Sequence, residues 1–114
     1  MKVATPEQMI RYADMFAAMG AESRLRIMQR LLAAHPAGLV VGEIQAELGL
    51  SGSNLSHHLD KLRNEGLVQM QREGTFLRYR ANTDALQQLL AFLYSECCTR
   101  SRAISPQKLA HVFR

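Results

Sequence analysis

Cysteine is scarce in this chain: 114 residues hold two, and they are neighbours, Cys97 and Cys98. Adjacent cysteines bridge each other only with strain and cannot build a disulfide framework, so the pair points to reactive or metal-binding sulfur rather than a structural staple. Long apolar runs are missing too. None approaches the roughly 20 residues needed to cross a bilayer, and the N-terminus lacks the apolar core of a signal peptide. A cytoplasmic protein with no membrane partner is therefore expected. There is no internal repeat and no low-complexity tract. Outside Cys97-Cys98 no motif gathers acid, base and nucleophile groups, which argues against an enzyme.

What is present is apolar material and positive charge. A hydrophobic content of 47% is enough for one compact domain at this length. The net charge of +4 and a pI near 9.5 favour an anionic partner, although charge alone does not name it.

The most informative stretch runs from Glu43 to Leu67, EIQAELGLSGSNLSHHLDKLRNEGL. Ile44 and Leu48 share one helical face. After Gly49-Leu50 a second apolar line starts at Leu55 and continues through Leu59 and Leu62. Ser51 is placed to cap the second helix, and Gly66 to end it in a left-handed conformation. Two short helices meeting at a tight turn are the grammar of a helix-turn-helix. Turning about 100° per residue from Leu55, Ser53 and His57 point away from the apolar line, flanked by Asn54, Ser56 and Lys61. Short hydrogen-bonding side chains near a helix N-terminus suit base edges and phosphates in a major groove. His58 adjoins the apolar line beside Leu59 and reads as a packed, hydrogen-bonded structural histidine.

Upstream, Thr5-Pro6-Glu7 reads as cap, first helical position and first-turn acid of a helix that Gly20 closes, with Met9, Ala13 and Phe16 as its apolar line. A second helix around 23–33 carries Leu25, Met28, Leu31 and Leu32 at core spacing. Its Arg24, Arg26 and Arg30 read as a solvated face, with one of them available to a phosphate. His35-Pro36-Ala37-Gly38 breaks it, and residues 39–41 form a short apolar run compatible with a strand.

Downstream of Gly66 the period changes from helical to alternating: Val68 and Met70, then Phe76, Leu77 and Tyr79, separated by Glu73-Gly74. This hairpin, with Arg72 beside its tip and Thr75 and Arg78 on the returning strand, is the wing of a winged helix. Asn82-Thr83-Asp84 offers caps for a last long helix with an apolar line of Leu86, Leu90, Leu93 and Cys97, widened by Leu89 and Phe92. Such a broad face implies packing against a second copy of the chain. The expected organisation is a winged helix-turn-helix domain for DNA binding and dimerisation over 1–98, mainly α with a small β-hairpin wing. Residues 99–114 follow as a tail that is either mobile or a short docking helix.

The helix order, the segment ESRLRIMQRLL, the phrase LGLSGSNLSHHLDKLRNEGLV and the hairpin after it resemble the arsenic-repressor, or ArsR/SmtB, family of bacterial winged-helix sensors. The resemblance implies a homodimer built through the first and last helices, bound to double-stranded inverted-repeat operator DNA and released by an effector. Carried over to this chain, the DNA-binding positions are Ser53, Asn54, Ser56, His57 and Lys61, with Arg72 and Arg78 on the wing. No cofactor is implied beyond the effector.

The effector follows from where the chain departs from its look-alikes. Arsenic sensors with a Cys-Val-Cys motif place it where this chain has Leu39-Val40-Val41-Gly42, and zinc sensors place Asp and His ligands along the last helix, where Asp84 is followed by no histidine before His111. What remains is Ser95-Glu96-Cys97-Cys98-Thr99, similar to a branch with vicinal cysteines at the end of the last helix; the third cysteine usual in that branch is replaced by the stretch Arg100-Ser101-Arg102. Soft thiolates select trivalent arsenic or antimony over hard ions. Two sulfurs satisfy a methylated arsenical, and inorganic arsenite needs a third ligand. A thiol-based redox or sulfide sensor is the alternative.

Overall fold

The computed structural model of the chain describes residues 4–100 and 104–112, with the side chains of 95–100 left out of that description. The elements are α1 (Pro6–Met19), α2 (Glu22–Ala33), β1 (Leu39–Val40), α3 (Val41–Leu48), α4 (Gly52–Asn64), β2 (Val68–Glu73), β3 (Phe76–Ala81), α5 (Thr83–Arg100) and α6 (Pro106–Val112). They fall into two compact units, Met1–Thr83 and Asp84–Arg114.

In the first unit the local signals act as their chemistry dictates. The Thr5 hydroxyl accepts from the Gln8 amide at 3.1 Å while the Gln8 side chain accepts from the Thr5 amide at 2.9 Å, a reciprocal box that satisfies two free donors of α1. Ser51 caps α4 with a single bond, its hydroxyl accepting from the Asn54 amide at 3.3 Å. Gly66, at φ 71°, follows α4 in the left-handed region expected of it. The β2–β3 hairpin pairs Val68 with Ala81 through to Glu73 with Phe76, leaving Gly74-Thr75 as the turn. Thr75 therefore sits at the tip rather than on the returning strand. The short apolar run becomes β1, pairing Leu39 with Tyr79, so the wing is a three-stranded antiparallel sheet in the order β1-β3-β2.

Leu55, Leu59 and Leu62 of α4 are at most 1% exposed and share the buried core with Ile27, Met28 and Leu31 of α2, Ile44 of α3, Met15 of α1, Leu67 just before the sheet, and Val68 and Tyr79 within it; α4 packs on α1, α2 and β2. Each large aliphatic side chain so buried contributes about 1.5–3 kcal/mol, enough to hold α4 against its neighbours without help from its outer face.

Three apolar lines come out differently from the sequence reading. In α1 the buried positions are Met15 and Ala18, whereas Met9, Ala13 and Phe16 are exposed. In α2 Ile27 replaces Leu25 and Leu32, which stay exposed. In the second unit Ala85 and Leu89 of α5 are buried while Leu90 and Leu93 are exposed. Each of these helices has more than one apolar stripe, and periodicity shows that a stripe exists without showing which one a monomer covers. Beyond residue 103 the chain forms the short helix α6.

Candidate nucleic-acid interface

The outer face of α4 is determined by its inner one. With Leu55, Leu59 and Leu62 turned to the core, Ser53, Asn54, Ser56, His57 and Lys61 are all exposed. The first turn carries no acidic residue and the last carries Lys61 and Arg63. The positive end of the helix dipole is thus open to an anion, and the free first-turn amides that Ser51 does not satisfy point the same way.

Two arginines of α2 hold the helix-turn-helix from behind, one through α4 and one through α3. The Arg24 guanidinium on α2 donates from Nη1 to Nδ1 of His58 at 3.1 Å and from Nε to the Ala18 carbonyl at the end of α1. His58 is the bonded structural histidine its position beside Leu59 called for. Accepting at Nδ1 requires the neutral ring, and the His58 pKa is lowered by burial first, then by the nearby charges of Arg24, His57 and Lys61. Arg30, also on α2, forms a two-pronged ion pair with Glu47 of α3 at 2.7 and 3.1 Å. The hydrogen bonds from Arg30 hold the Glu47 carboxyl below its ordinary pKa. The solvated arginine face expected on α2 is only partly corrected: Arg30 is exposed as expected, but Arg24 and Arg30 also tie α2 to the two helices of the helix-turn-helix. Arg26 and Arg30 both stay exposed, with Arg26 4.0 Å from Glu22. The partners lie 34 and 17 residues away in sequence, beyond any local signal.

The sheet separates the two wing arginines. Side chains alternate across a strand, so Arg72 shares a face with Met70, whose sulfur takes a contact from Arg63 of α4 at 3.6 Å. Arg72 is exposed on the side of the sheet that carries α4. Arg78 lies on the other face, where its Nε donates to Glu73 at 2.8 Å and its Nη1 to the Ala37 carbonyl at 3.4 Å. Behind it, Arg80 donates to the Pro36 carbonyl at 3.1 Å and to Gln71 at 2.6 Å. Arg72 is free to reach a phosphate, and Arg78 is already engaged within the wing.

Cys97 and Cys98 belong to the last turns of α5, and their side chains lie outside the described residues. Among the described residues, no group of three or more His, Cys, Asp or Glu side chains is placed to hold a metal ion, and no helix is long and apolar enough to cross a membrane.

Comparison with known proteins agrees with this geometry. A family model described as a helix-turn-helix domain matches residues 19–71. The chain is 36% identical over 81 residues to the nodulation protein NolR of Rhizobium meliloti, covering 71% of this chain and 64% of that protein, so the match spans a little under two thirds of NolR. It is 34% identical over 86 residues to the HTH-type transcriptional regulator YgaV of Escherichia coli, covering 75% of this chain and 85% of that one. Its fold superposes on an ArsR-like transcriptional regulator from Rhodococcus sp. RHA1 with a TM-score of 0.73 at 25% identity, over 93% and 92% of the two chains. With a groove-sized polar helix clamped from behind, a three-stranded wing beside it and relatives of this kind along most of its length, the chain belongs to the ArsR/SmtB family of winged helix-turn-helix transcriptional regulators.

Proposed function

We propose that the chain is a homodimeric transcriptional repressor that reads an inverted-repeat operator and leaves it when a trivalent metalloid engages Cys97 and Cys98. The observation that carries the DNA half is the division of α4: one side wholly buried, the other an exposed set of Ser53, Asn54, Ser56, His57 and Lys61, with Arg72 on the adjoining face of the wing. Serine, asparagine and histidine are suited to base edges, and Lys61 and Arg72 to phosphates. Arg78 reaches DNA from the opposite face of the wing, in exchange for its contact with Glu73.

Dimerisation is supported by the apolar surface that each end of the chain leaves uncovered: Met9 and Ile10 on α1, 51% and 62% exposed, and Leu90 and Leu93 on α5, 61% and 48% exposed. Two copies related by a twofold axis present two α4 helices to half-sites about one helical turn, or a multiple of it, apart.

The effector reading rests on donor chemistry. Two neighbouring thiols are soft ligands and fit trivalent arsenic or antimony, above all a methylated arsenical, which needs only two sulfurs. Successive helical residues differ by about 100° in direction, so both sulfurs reach one atom only if the end of the helix unwinds. Capture would then favour a dimer geometry that does not fit the operator, and the differential affinity for the two states is what releases the DNA.

The test is a titration of arsenite, a methylated arsenical, antimonite, zinc and peroxide into protein bound to a labelled inverted-repeat duplex selected from a randomised pool. Release by the arsenicals, abolished in the Cys97→Ser, Cys98→Ser double variant, is expected. Release that survives the double change removes the metalloid claim. Release by peroxide alone moves the assignment to the second reading, a thiol redox or sulfide sensor, which the same vicinal-thiol chemistry supports. Equal binding to a scrambled duplex would sink the operator reading itself.

A further inference from the structure

We propose that Arg80, on the face of the wing turned away from α4, is a positioning residue for DNA binding: it bridges the wing to the turn before β1 and so sets the direction in which the wing leaves the body. This rests on the operator-binding reading above.

A two-stranded hairpin is marginal by itself, and β1 adds only two paired residues to it, so what grips the hairpin at its base matters. Arg80 stands near that base, four residues beyond Phe76 and thus about 13 Å along the strand from the tip. Its guanidinium bridges two elements at once, donating from Nε to the Pro36 carbonyl at 3.1 Å and from Nη1 to the side-chain oxygen of Gln71 on β2 at 2.6 Å.

The same turn is pressed against β3 by its backbone. Gly38 is buried, with φ 73°, and a Cβ built there would lie 2.2 Å from the Tyr79 carbonyl oxygen and 2.7 Å from Cγ of Arg80 itself. Two independent features, a glycine with no room for a side chain and a bridging fork across it, hold one turn to one strand. With Nε and Nη1 engaged by a carbonyl and an amide oxygen of its own domain, Arg80 acts through the wing and not as a phosphate ligand.

Lysine separates the two roles. It keeps the charge and most of the aliphatic stem but has no rigid fork to span both acceptors. The experiment measures Arg80→Lys, Gln71→Ala and Arg72→Ala beside the wild type. Affinity is read over a salt series for the selected inverted-repeat duplex and a scrambled one, and amide hydrogen exchange is read on the free protein. Arg80→Lys should bind the repeat about fivefold to tenfold more weakly, the loss expected of one or two hydrogen bonds, with an unchanged salt slope. Its Gly38 to Val40 amides should exchange faster. Gln71→Ala, which removes one arm of the bridge and no charge, should move affinity and exchange the same way by less, and it serves if Arg80→Lys fails to fold. Arg72→Ala should lower the salt slope by about one, as loss of a phosphate contact does.

Wild-type affinity or unchanged exchange in Arg80→Lys and Gln71→Ala overturns the proposal. A wild type that prefers the repeat while both variants match it overturns the role of Arg80 alone. A wild type indifferent to the repeat overturns the operator reading together with this one.

Discussion

At the scale of single residues, His58 shows how a recognition helix is held by a group that never faces DNA. Its neutral ring accepts from Arg24, so the folded state binds a proton less readily than the unfolded chain does. The sign follows from linkage: where the unfolded chain binds more protons, stability rises with pH. The contribution of His58 is fully present above its ordinary pKa of 6.5 and is lost as the pH falls through its lowered folded value. Thermal unfolding followed from pH 8 down to about 5 should show a fall on the acid side of pH 6.5 that is shallower in His58→Gln, whose amide oxygen still accepts from Arg24 but does not titrate. Equal slopes in the two proteins would remove this role. Residue-level roles were only half legible in the sequence. Ser51, Thr5 and Gly66 announced themselves because a cap or a left-handed end is a local matter. Arg24, Arg30 and Arg80 did not, because their acceptors lie 34, 17 and 44 residues away.

At the scale of elements, the turn from 34 to 38 joins helix to sheet and determines where the wing begins. Gly38 is needed there for two reasons that reinforce each other: a positive φ and a carbonyl too close for any Cβ. Gly38→Ala should destabilise the fold by about 2–3 kcal/mol, measured as a shift in urea midpoint with unchanged slope, since a non-glycine residue in the left-handed region carries about 1–3 kcal/mol before any clash is counted. A shift below about 0.5 kcal/mol would show that the turn moves away at little cost. The helix-turn-helix was the most legible element, because one helix buried on three leucines leaves a single choice for its outer face. The wing was legible as a hairpin, but not as a three-stranded sheet: two residues of β1 are too few to show a period, and their pairing with Tyr79 and Arg78 is a tertiary fact.

At the scale of the whole molecule, Met9, Ala13 and Phe16 of α1 and Leu90 and Leu93 of α5, all exposed, belong to the apolar lines the sequence singled out. A line that is strong in sequence and uncovered in one chain is expected to find its cover on a second. Leu90→Glu combined with Leu93→Glu should turn a dimer into a monomer in sedimentation equilibrium. The same change should remove preference for the inverted repeat while leaving weak, salt-sensitive binding to any duplex, since phosphate contacts persist in a single copy. A double variant that stays dimeric would place the subunit contact elsewhere.

By itself the sequence determined the local chemistry: where helices start and stop, which face of α4 is polar, where the hairpin turns, and that cysteine occurs only as one vicinal pair. These depend on neighbours within a turn or two of chain, where spacing and residue type suffice. Tertiary structure alone decided which apolar stripe of α1, α2 and α5 is buried, that Arg72 and Arg78 face opposite sides of the wing, and that three arginines serve as bridges inside the protein. Those outcomes depend on which distant surface excludes water from a stripe or accepts a hydrogen bond from a guanidinium, and no local pattern encodes that.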